Sequence, residues 1–507
     1  MTRSKAPETD RSKLPRAATA TQPGSNFLQL TVAAAPQRGR ADWLSHELRA
    51  AIADGRLPVG STLPASRILA AELQVSRGVV TEAYQRLTDD GHLAGRGRRG
   101  TIVIAGPLPT GQPSAGTRTA AAGSTDLFAA AADNGRFDTL RAADAGIDLT
   151  PGAPDLAAFP RAAWLRAERV VLGGLSHDAF GYPDPRGAPV FRTAVATWLA
   201  RNRGMSVQPA DVVVVAGVAQ ALALLARVLR SDGVDRIAVE DPGSTGTRQQ
   251  LQNWGLGTPP VPVDGAGIQV EALRATGAPA VLLTPAHQFP TGVVLDGARR
   301  RQLLEWTADG GLIIEDDYDA EHRYDRPPTP ALQSMLANQV CYAGSVSKLL
   351  APALRVGWMV VPPRYHDAIV TAKRETDLGN AMLAQLVLAR MFDSGEMERH
   401  LRLVRRRHRA RRDAMVAAIG DRLPSARVHG AAAGLHLMIT FDWDDALSDV
   451  ELAGAALAAG VKVHPLSWHR QLPGPAGLVL GYAASSRTDI VDGITTLGAL
   501  VGRRSTG

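Results

Sequence analysis

One lysine of this 507-residue chain stands out by its type and by its neighbours. The chain holds 56 lysine and arginine residues, and only five of them are lysines. Lys348 lies in GSVSKLLAPALRVGW (344–358), where apolar residues follow it directly. Burial among apolar residues lowers the pKa of a lysine, and the neutral amine is a nucleophile. The stretch predicts a reactive amine, with an ordinary surface lysine as the alternative.

The residues around Lys348 also predict what this amine would react with. A lysine amine forms a Schiff base with an aldehyde, and pyridoxal phosphate (PLP) is the usual aldehyde cofactor. Its phosphate needs donors and positive charge, which Ser345, Ser347 and Arg355 offer close by. GVAQ (217–220) follows an apolar run and opens a helical pattern, and the free N–H groups of a helix start bind phosphate.

The pyridine nitrogen of PLP requires a carboxylate beside it, because the protonated ring is the better electron sink. LIIEDDYD (312–319) predicts a buried strand that ends in acidic residues, and Asp316 is the best candidate among them. Tyr318 is close enough in sequence to donate to the phenolate oxygen of the ring. A solvated strand end would explain the same residues, and an ordinary strand–helix turn would explain GVAQ. Together with Lys348, however, these patterns indicate a PLP site.

A sheet must position these residues. Helical patterns such as 220–230 and 297–306 lie between short apolar runs, and strands that alternate with helices predict an α/β fold with a mostly parallel sheet. The predicted strands are 212–217, 236–242, 280–285, 311–316, 340–345 and 355–361.

A smaller unit precedes this sheet, and its pattern predicts a helix-turn-helix. Apolar residues at helical spacing surround a short break at 74–75, and Ser76 is placed to cap the second helix. That helix would present Arg77, Gly78 and Thr81 to a DNA groove. A glycine-turned hairpin follows as a basic wing, whose tip carries Arg96, Arg98 and Arg99. A small helical module that binds protein is the alternative.

The charge distribution agrees with a nucleic-acid module. Residues 1–106 hold 15 basic and 9 acidic residues, whereas the remainder holds 41 and 40. A basic small unit attached to a neutral large one suggests DNA binding, although a solvated basic face would look the same. The predicted organisation is a flexible arm (1–37), a winged helix-turn-helix (38–106), a linker (107–145) and a PLP-binding domain (146–503).

The single cysteine, Cys341, excludes an internal disulfide framework, and its position inside a strand predicts a core residue. The N-terminal residues are charged and lack an apolar core, so they do not form a signal peptide. The longest apolar run is too short to span a bilayer. The sequence therefore predicts a cytoplasmic protein without a membrane segment, and it indicates no metal site.

The N-terminal pattern resembles a known DNA-binding family. GRLPVGSTLPASRILAAELQVSRGVVTEAYQRLTDDGHL (55–93) resembles the winged-helix domain of GntR-type regulators almost throughout. The resemblance implies that Arg67, Arg77 and the wing contact DNA. Ser66 and Arg67 would lie near the start of the first of the two helices.

From about residue 146 to 500, the chain resembles class I and II aminotransferases of fold type I. The matching motifs are GYPDPRG (181–187), DVVVVAGVAQAL (211–222), EDPG (240–243), PAHQFPTG (285–292), EDDYDAEHRY (315–324) and GSVSKLLAPALRVGW (344–358). The resemblance implies that Lys348 is the Schiff-base lysine, Asp316 pairs with the pyridine nitrogen and Tyr318 bonds the phenolate oxygen. Further cofactor contacts are implied for Ser345, Ser347, Arg355, the amides of Val218 and Ala219, Tyr182 of a neighbouring subunit, His287 and Gln288.

A winged helix joined to an aminotransferase-like domain resembles the MocR subfamily of bacterial regulators. This resemblance implies a homodimeric, PLP-dependent regulator that binds operator DNA and senses an amino compound or PLP itself. Two alternatives remain. One is an active aminotransferase with an appended DNA-binding module, and the other is a regulator whose large domain is a PLP-free dimerisation scaffold.

Two positions depart from the aminotransferase pattern. Ser244 stands where the family has an aromatic residue that stacks on the cofactor, and Val479 stands where the family has an arginine that binds the substrate carboxylate. Arg248 or Arg323 would then meet an anionic effector, or the ligand is the cofactor itself. Both departures favour a sensor over a productive enzyme.

An arginine-rich run, RHLRLVRRRHRARRD (399–413), has helical spacing. It predicts the solvated face of a long helix, and a second DNA contact is the alternative.

Overall fold

The computed structural model describes residues 28, 30, 39–95, 100–104, 127–128, 134–324, 329–442 and 448–504. The chain divides into two compact units, residues 1–114 and 115–507. Within the described ranges, no helix has the length and apolar character needed to cross a membrane.

The first unit is a winged helix-turn-helix, as the sequence predicts. It consists of helices α1 (Arg40–Ala53), α2 (Ser66–Glu72) and α3 (Arg77–Asp89) and strands β1 (Thr62–Leu63), β2 (Leu93–Gly95) and β3 (Thr101–Val103). The strands form an antiparallel sheet in the order β1-β3-β2. The predicted cap is confirmed, since Ser76 Oγ accepts a hydrogen bond from the Val79 amide at 3.4 Å. Leu44, Leu69 and Leu87 are fully buried in the core between the helices.

The second unit is built on an eight-stranded sheet in the order β5-β12-β11-β10-β9-β6-β7-β8. Its strands are β5 (Val212–Val215), β6 (Ala238–Asp241), β7 (Pro260–Asp264), β8 (Gly267–Ile268), β9 (Ala280–Leu283), β10 (Leu312–Asp317), β11 (Val340–Ser345) and β12 (Gly357–Val360). All six predicted strands are present. The pairings are parallel except those of β12 and β8, so the prediction of a mostly parallel sheet is confirmed.

Helices cover this sheet, because its strands are apolar on both faces. The helices of the second unit are Asn134–Ala142, Arg161–Gly174, Pro189–Arg203, Val218–Ser231, Thr245–Asn253, Val270–Ala275, Gly297–Ala308, Pro363–Asp377, Met382–Asp393, Glu396–Arg422, Asp449–Ala458 and Arg487–Arg504. Short 3-10 turns occur at Leu156–Ala158, His177–Phe180, Leu332–Ser334, Pro352–Leu354 and Leu466–His469.

A smaller antiparallel sheet follows towards the C-terminus, in the order β13-β14-β17-β16. Its strands are β13 (Ala426–His429), β14 (His436–Phe441), β16 (His464–Pro465) and β17 (Gly477–Gly481), and a separate parallel pair joins β4 (Ile147–Asp148) to β15 (Val461–Lys462). Met415, Ile439, Leu480 and Ile490 pack together between this sheet and the neighbouring helices.

The long helix Glu396–Arg422 carries the arginine-rich run, and only part of the run is solvated. Arg407 Nε lies 2.8 Å and Arg411 Nη1 lies 3.0 Å from Asp155 Oδ2, and all three side chains are buried. The exposed arginines of the run are Arg399, Arg402, Arg406 and Arg409. The sequence prediction of one solvated face was therefore incomplete, because Asp155 is 252 residues away from Arg407 and gives no local signal.

The same helix also supports two distant loops. His400 Nε2 donates to the Leu349 carbonyl at 2.9 Å, next to Lys348. Arg411 donates to the Ala483 carbonyl, just after β17.

The structure differs from the prediction at the end of the linker. Residues 134–142 form a helix, and Leu140 is 1% exposed within the core of the second unit. Phe128 packs into the same core. The prediction of a linker was based on composition, and the small and polar residues around Phe128 and Leu140 dominate the composition of this segment. The predicted arm lies outside the described residues except Leu28 and Leu30, which pack against the core of the first unit.

Candidate functional site

A cavity of about 770 Å³ opens at the carboxyl ends of the central strands. Parallel strands end at a common edge of a sheet, and ligands bind there in open α/β folds. Asp316 near the end of β10, Ser345 at the end of β11 and Lys348 beyond it all line the cavity. Residues far apart in the sequence therefore meet where the motifs predict a site.

Lys348 lies partly buried in the wall of this cavity. Its Nζ donates to the carbonyl of Gly152, which has a φ of +96°. Burial lowers the pKa of Lys348, and the carboxylates of Asp319 and Asp316 oppose that shift. A lysine in this position is closer to its neutral, nucleophilic form than an exposed lysine.

One end of the cavity is suited to an anion. Val218 and Ala219 begin the helix Val218–Ser231, so their N–H groups have no partner within the helix. Arg355 donates to the Ala216 carbonyl and lies against Gly217, where an added Cβ would come 3.2 Å from Arg355 Nη2. Ser345 and Ser347 line the same cavity. The four predicted phosphate-binding elements thus come together.

The acidic end of β10 divides its carboxylates between the two faces of the sheet. Asp316 faces the cavity, whereas Asp317 is buried with Arg203 Nε at 2.6 Å from its Oδ2. Burial raises the pKa of Asp316 to about 7, Asp317 adds to the rise, and Lys348 reduces it. Asp316 Oδ1 is buried and has no hydrogen-bond partner among the described residues.

Tyr318 lines the cavity, and His287 lies behind it rather than in the wall. The Tyr318 hydroxyl donates to the His287 carbonyl at 3.1 Å and lies 3.1 Å from His287 Nδ1. Asp319 Oδ2 is 2.9 Å from that same nitrogen. Asp319, which the sequence reading did not select, is thus part of the support for Tyr318. Burial raises the pKa of Tyr318 well above its usual value, so the phenol stays protonated.

Aromatic and imidazole rings form a continuous wall beside Tyr318, whose ring centroid lies 6.4 Å from that of Phe289. The centroid of Phe289 lies 5.0 Å from those of His436 and His469, and the centroid of Phe137 lies 5.0 Å from that of His464. We call these five residues the imidazole wall, and all of them line the cavity. The sequence reading missed the three histidines, because they come from β14, β16 and the turn after β16.

Several other predicted residues lie away from the cavity wall. Gln288 is buried and bonds the carbonyls of Pro242 and Phe289. Arg323 bonds Thr329, and Arg248 borders a smaller neighbouring cavity. Tyr182 also lies outside the wall and is 92% exposed, whereas Ser244 lines the cavity and caps the helix Thr245–Asn253.

His287, Asp319 and His436 also bring their ligand atoms within 4.8 Å of one another, a grouping that could hold a metal ion. Asp319 and Tyr318 lie within hydrogen-bond distance of His287 Nδ1, and His436 Nε2 lies 3.3 Å from the Pro290 carbonyl.

The first unit presents its predicted DNA-binding residues to solvent. Arg67 near the start of α2 and Arg77, Gly78 and Thr81 in the first turns of α3 are exposed. Arg77 Nε lies 3.4 Å from Ser66 Oγ, which links the starts of the two helices. The wing arginines Arg96, Arg98 and Arg99 lie outside the described residues.

Comparison with known families and proteins agrees with both units. The model of the bacterial regulatory proteins of the gntR family matches residues 41–103, and the model of aminotransferase class I and II matches residues 145–469. The chain is 32% identical over 460 residues to the probable rhizopine catabolism regulatory protein MocR of Rhizobium meliloti, with 90% of this chain and 92% of that protein covered. The chain belongs to the MocR subfamily of GntR-type regulators. It is thus a helix-turn-helix transcriptional regulator with an aminotransferase-like domain.

Other similar proteins of known name or structure support this assignment. The MocR-type chain is 30% identical over 417 residues to the pyridoxine biosynthesis regulator PdxR of Corynebacterium glutamicum. The aligned region covers 82% of this chain and 86% of that protein. Its large unit resembles the kynurenine aminotransferase of Pyrococcus horikoshii at 25% identity and a TM-score of 0.67, covering 75% of this chain and 96% of the enzyme. LysN of Thermus thermophilus, an α-aminoadipate aminotransferase, is similar at 27% identity and a TM-score of 0.66. The match covers 73% of this chain and 95% of that enzyme.

Proposed function

We propose that this MocR-type regulator binds PLP through Lys348 and changes its hold on operator DNA when an amine effector enters the same cavity. The single observation that carries the proposal is the cavity itself, which brings together Lys348, Asp316 and Arg355. PLP supplies an aldehyde that a lysine amine holds covalently and that a second amine can compete for.

The residues of the cavity fit PLP. The unpartnered Oδ1 of Asp316 is a buried acceptor for a protonated ring nitrogen, and an unsatisfied buried carboxylate oxygen is costly without such a donor. Tyr318 offers a protonated phenol. Arg355 and the start of the helix Val218–Ser231 offer donors for a phosphate. The solved structures of two similar aminotransferases hold PMP or a phosphopyridoxyl amino acid, which supports the same cofactor here.

A homodimer is part of the proposal. Tyr182 is 92% exposed, and Phe180, Leu165 and Val170 are also more than half exposed. Exposed apolar residues in such numbers favour a protein interface. Tyr182 would then complete the phosphate site of the neighbouring subunit, and two winged helices would meet two half-sites on DNA.

The test uses the purified full-length protein with added PLP. Wild type should gain the visible absorbance of bound PLP, and Lys348→Ala should not. Lys348→Arg is the matched control for charge, because a guanidinium stays protonated and cannot attack the aldehyde. A colourless wild type would support the scaffold alternative, in which the large domain only holds the dimer together.

The binding of an operator fragment should then respond to amine in the wild type and not in Lys348→Ala. Turnover of an amino donor with a keto acceptor would instead support the active aminotransferase. Val479 lowers that expectation, since it supplies no charge where an α-carboxylate would be bound.

A further inference from the structure

A fully buried lysine lies behind the anion-binding end of the cavity. Lys373 is one of the five lysines of the chain, and its side chain is 0% exposed in the helix Pro363–Asp377. Its Nζ lies 2.9 Å from Asp377 Oδ2, four residues further along the same face of that helix. A buried ammonium is costly without a counter-charge, so the two side chains act as one unit, which we call the Lys373–Asp377 pair.

The Lys373–Asp377 pair holds the two ends of one side-chain amide. Gln220 Nε2 donates to Asp377 Oδ2 at 2.6 Å, and Lys373 Nζ donates to Gln220 Oε1 at 3.3 Å. An amide that turned over would place its NH2 group against the ammonium and its oxygen against the carboxylate. The charges of the pair therefore fix the direction in which the Gln220 amide points.

The oxygen of this amide also holds the loop that follows β5. The Ala216 N–H donates to Gln220 Oε1 at 2.7 Å, and the Ala216 carbonyl accepts from Arg355. Ala216 is thus held on both sides, directly before Gly217 at a φ of +82° and the helix start at Val218. The backbone that leads into the free N–H groups of the helix start is therefore held through the Gln220 amide.

Asp377 is itself anchored at a second point. Its Oδ1 accepts from the Gly379 amide at 2.9 Å and from Lys373 Nζ at 3.1 Å. Gly379 has a φ of +113°, and an added Cβ there would come 3.2 Å from Pro183, so its backbone is closely packed. Lys373, Asp377 and Gln220 do not line the cavity. The pair is therefore placed to act on a ligand through Gln220 and the backbone, not by contact.

We propose that Lys373 and Asp377 are positioning residues for the phosphate of PLP. They orient the Gln220 amide, and Gln220 holds Ala216 so that the helix start presents its N–H groups to the phosphate. The proposal rests on the proposed function, because the phosphate belongs to PLP. It goes further by naming two residues outside the cavity wall on which the anion-binding end depends.

The experiment compares PLP with pyridoxal, which has the same ring and aldehyde but no phosphate. Titration of the visible absorbance of the full-length protein gives a Kd for each ligand, and the ratio of the two constants is the phosphate preference. Lys373→Met removes the ammonium with little change in side-chain length. The Kd of PLP should rise about tenfold and that of pyridoxal should stay within about twofold, because pyridoxal makes no phosphate contact.

Gln220→Leu should lower the phosphate preference by a similar factor, because it removes the acceptor of the Ala216 N–H. The double variant with Lys373→Met should lose no more than Gln220→Leu alone, since Lys373 acts through that amide. Lys462→Met is the matched control, because Lys462 is 6% exposed and its Nζ donates to the Arg141 carbonyl rather than to the loop after β5. The control should keep the wild-type preference.

Equal weakening of PLP and pyridoxal in Lys373→Met, or an unchanged Kd for PLP, would overturn the proposal, since a purely structural role affects both ligands alike. Additive losses in the double variant, or a wild type that binds both ligands equally, would also overturn it. If Lys373→Met does not fold, Asp377→Asn decides the question, because it removes the charge, keeps the volume and should also lower the preference. A wild type that stays colourless with PLP would instead overturn the proposed function.

Discussion

His287 Nδ1 lies 2.9 Å from Asp319 Oδ2, and both side chains are 1% exposed. The imidazole ring is wedged between Gly292 and Gly434, both at positive φ, and an added Cβ at Gly434 would lie 2.0 Å from the ring. The ring therefore cannot turn away from Tyr318. Asp319 is thus linked to the cavity through His287 and then through the Tyr318 hydroxyl.

Asp319→Asn should perturb bound PLP without abolishing its colour. The amide removes the negative charge that orients the imidazole, so the hydrogen bond that Tyr318 offers is misdirected. We expect a displaced midpoint in a spectrophotometric pH titration of the PLP-loaded protein and PLP affinity about tenfold weaker. Asp309→Asn, at an exposed carboxylate paired with Arg274, is the control and should leave both unchanged. An unaltered titration in Asp319→Asn would show that His287 is only a packing residue.

Glu240→Gln should change how stability depends on pH. Burial raises the pKa of Glu240 from 4.5 to about 7, although its carboxylate accepts hydrogen bonds from the Thr284 amide and hydroxyl. The folded state therefore keeps this proton between about pH 4.5 and 7, whereas the unfolded state has lost it. Wild type should lose up to about 3 kcal/mol relative to the variant as the pH rises through this window. Denaturant unfolding at several pH values measures the difference, and parallel pH profiles would contradict it.

Asp155→Asn should destabilise the large unit strongly. The carboxylate is 1% exposed and pairs with both Arg407 and Arg411, so the amide would remove a buried negative charge that these two arginines share. The expected loss is about 3–5 kcal/mol in the free energy of unfolding. Arg402→Ala removes an exposed arginine of the same helix and should cost less than about 0.5 kcal/mol. A loss of similar size in both variants would contradict the assignment.

Arg77→Ala should weaken binding to operator DNA. Arg77 is exposed at the start of α3, and losing one such contact costs about 1–3 kcal/mol if it reads a base. If it meets a phosphate, the slope of log affinity against log salt falls by about 1. Arg56→Ala is the control, because Arg56 already pairs with Asp54. Wild-type affinity and salt slope in Arg77→Ala would reject α3 as the recognition helix.

The sequence predicted the fold closely wherever local patterns decide the structure. Apolar runs such as 212–217 fit a buried strand, and Ser76 marked the start of α3 by its capping chemistry. The helix Asn134–Ala142 was missed, because its short apolar stripe is stabilised by tertiary packing around Leu140. The order of strands, with β12 inserted antiparallel beside β5, depends on long-range pairing that no local pattern encodes.

The predicted site residues divide in the same way. Lys348, Asp316 and Tyr318 lie in or beside strand ends, so their motifs were visible and the structure brings them to one cavity. His436 and His464 come from the small sheet, more than 80 residues further on, where a histidine in a strand looks like any core polar residue. The sequence did contain a signal for Asp319. It is a further acidic residue close after a buried strand, and a buried carboxylate is costly unless it is paired.

The helix Glu396–Arg422 holds the loop of Lys348 through His400 and the end of the small sheet through Arg411. Eleven residues separate these two contacts, which is about 16 Å along a rigid α-helix. Under the proposed function, an amine that displaces Lys348 would disturb a loop that this continuous helix joins to Ala483. The helix would then connect the cavity rigidly to the end of the small sheet.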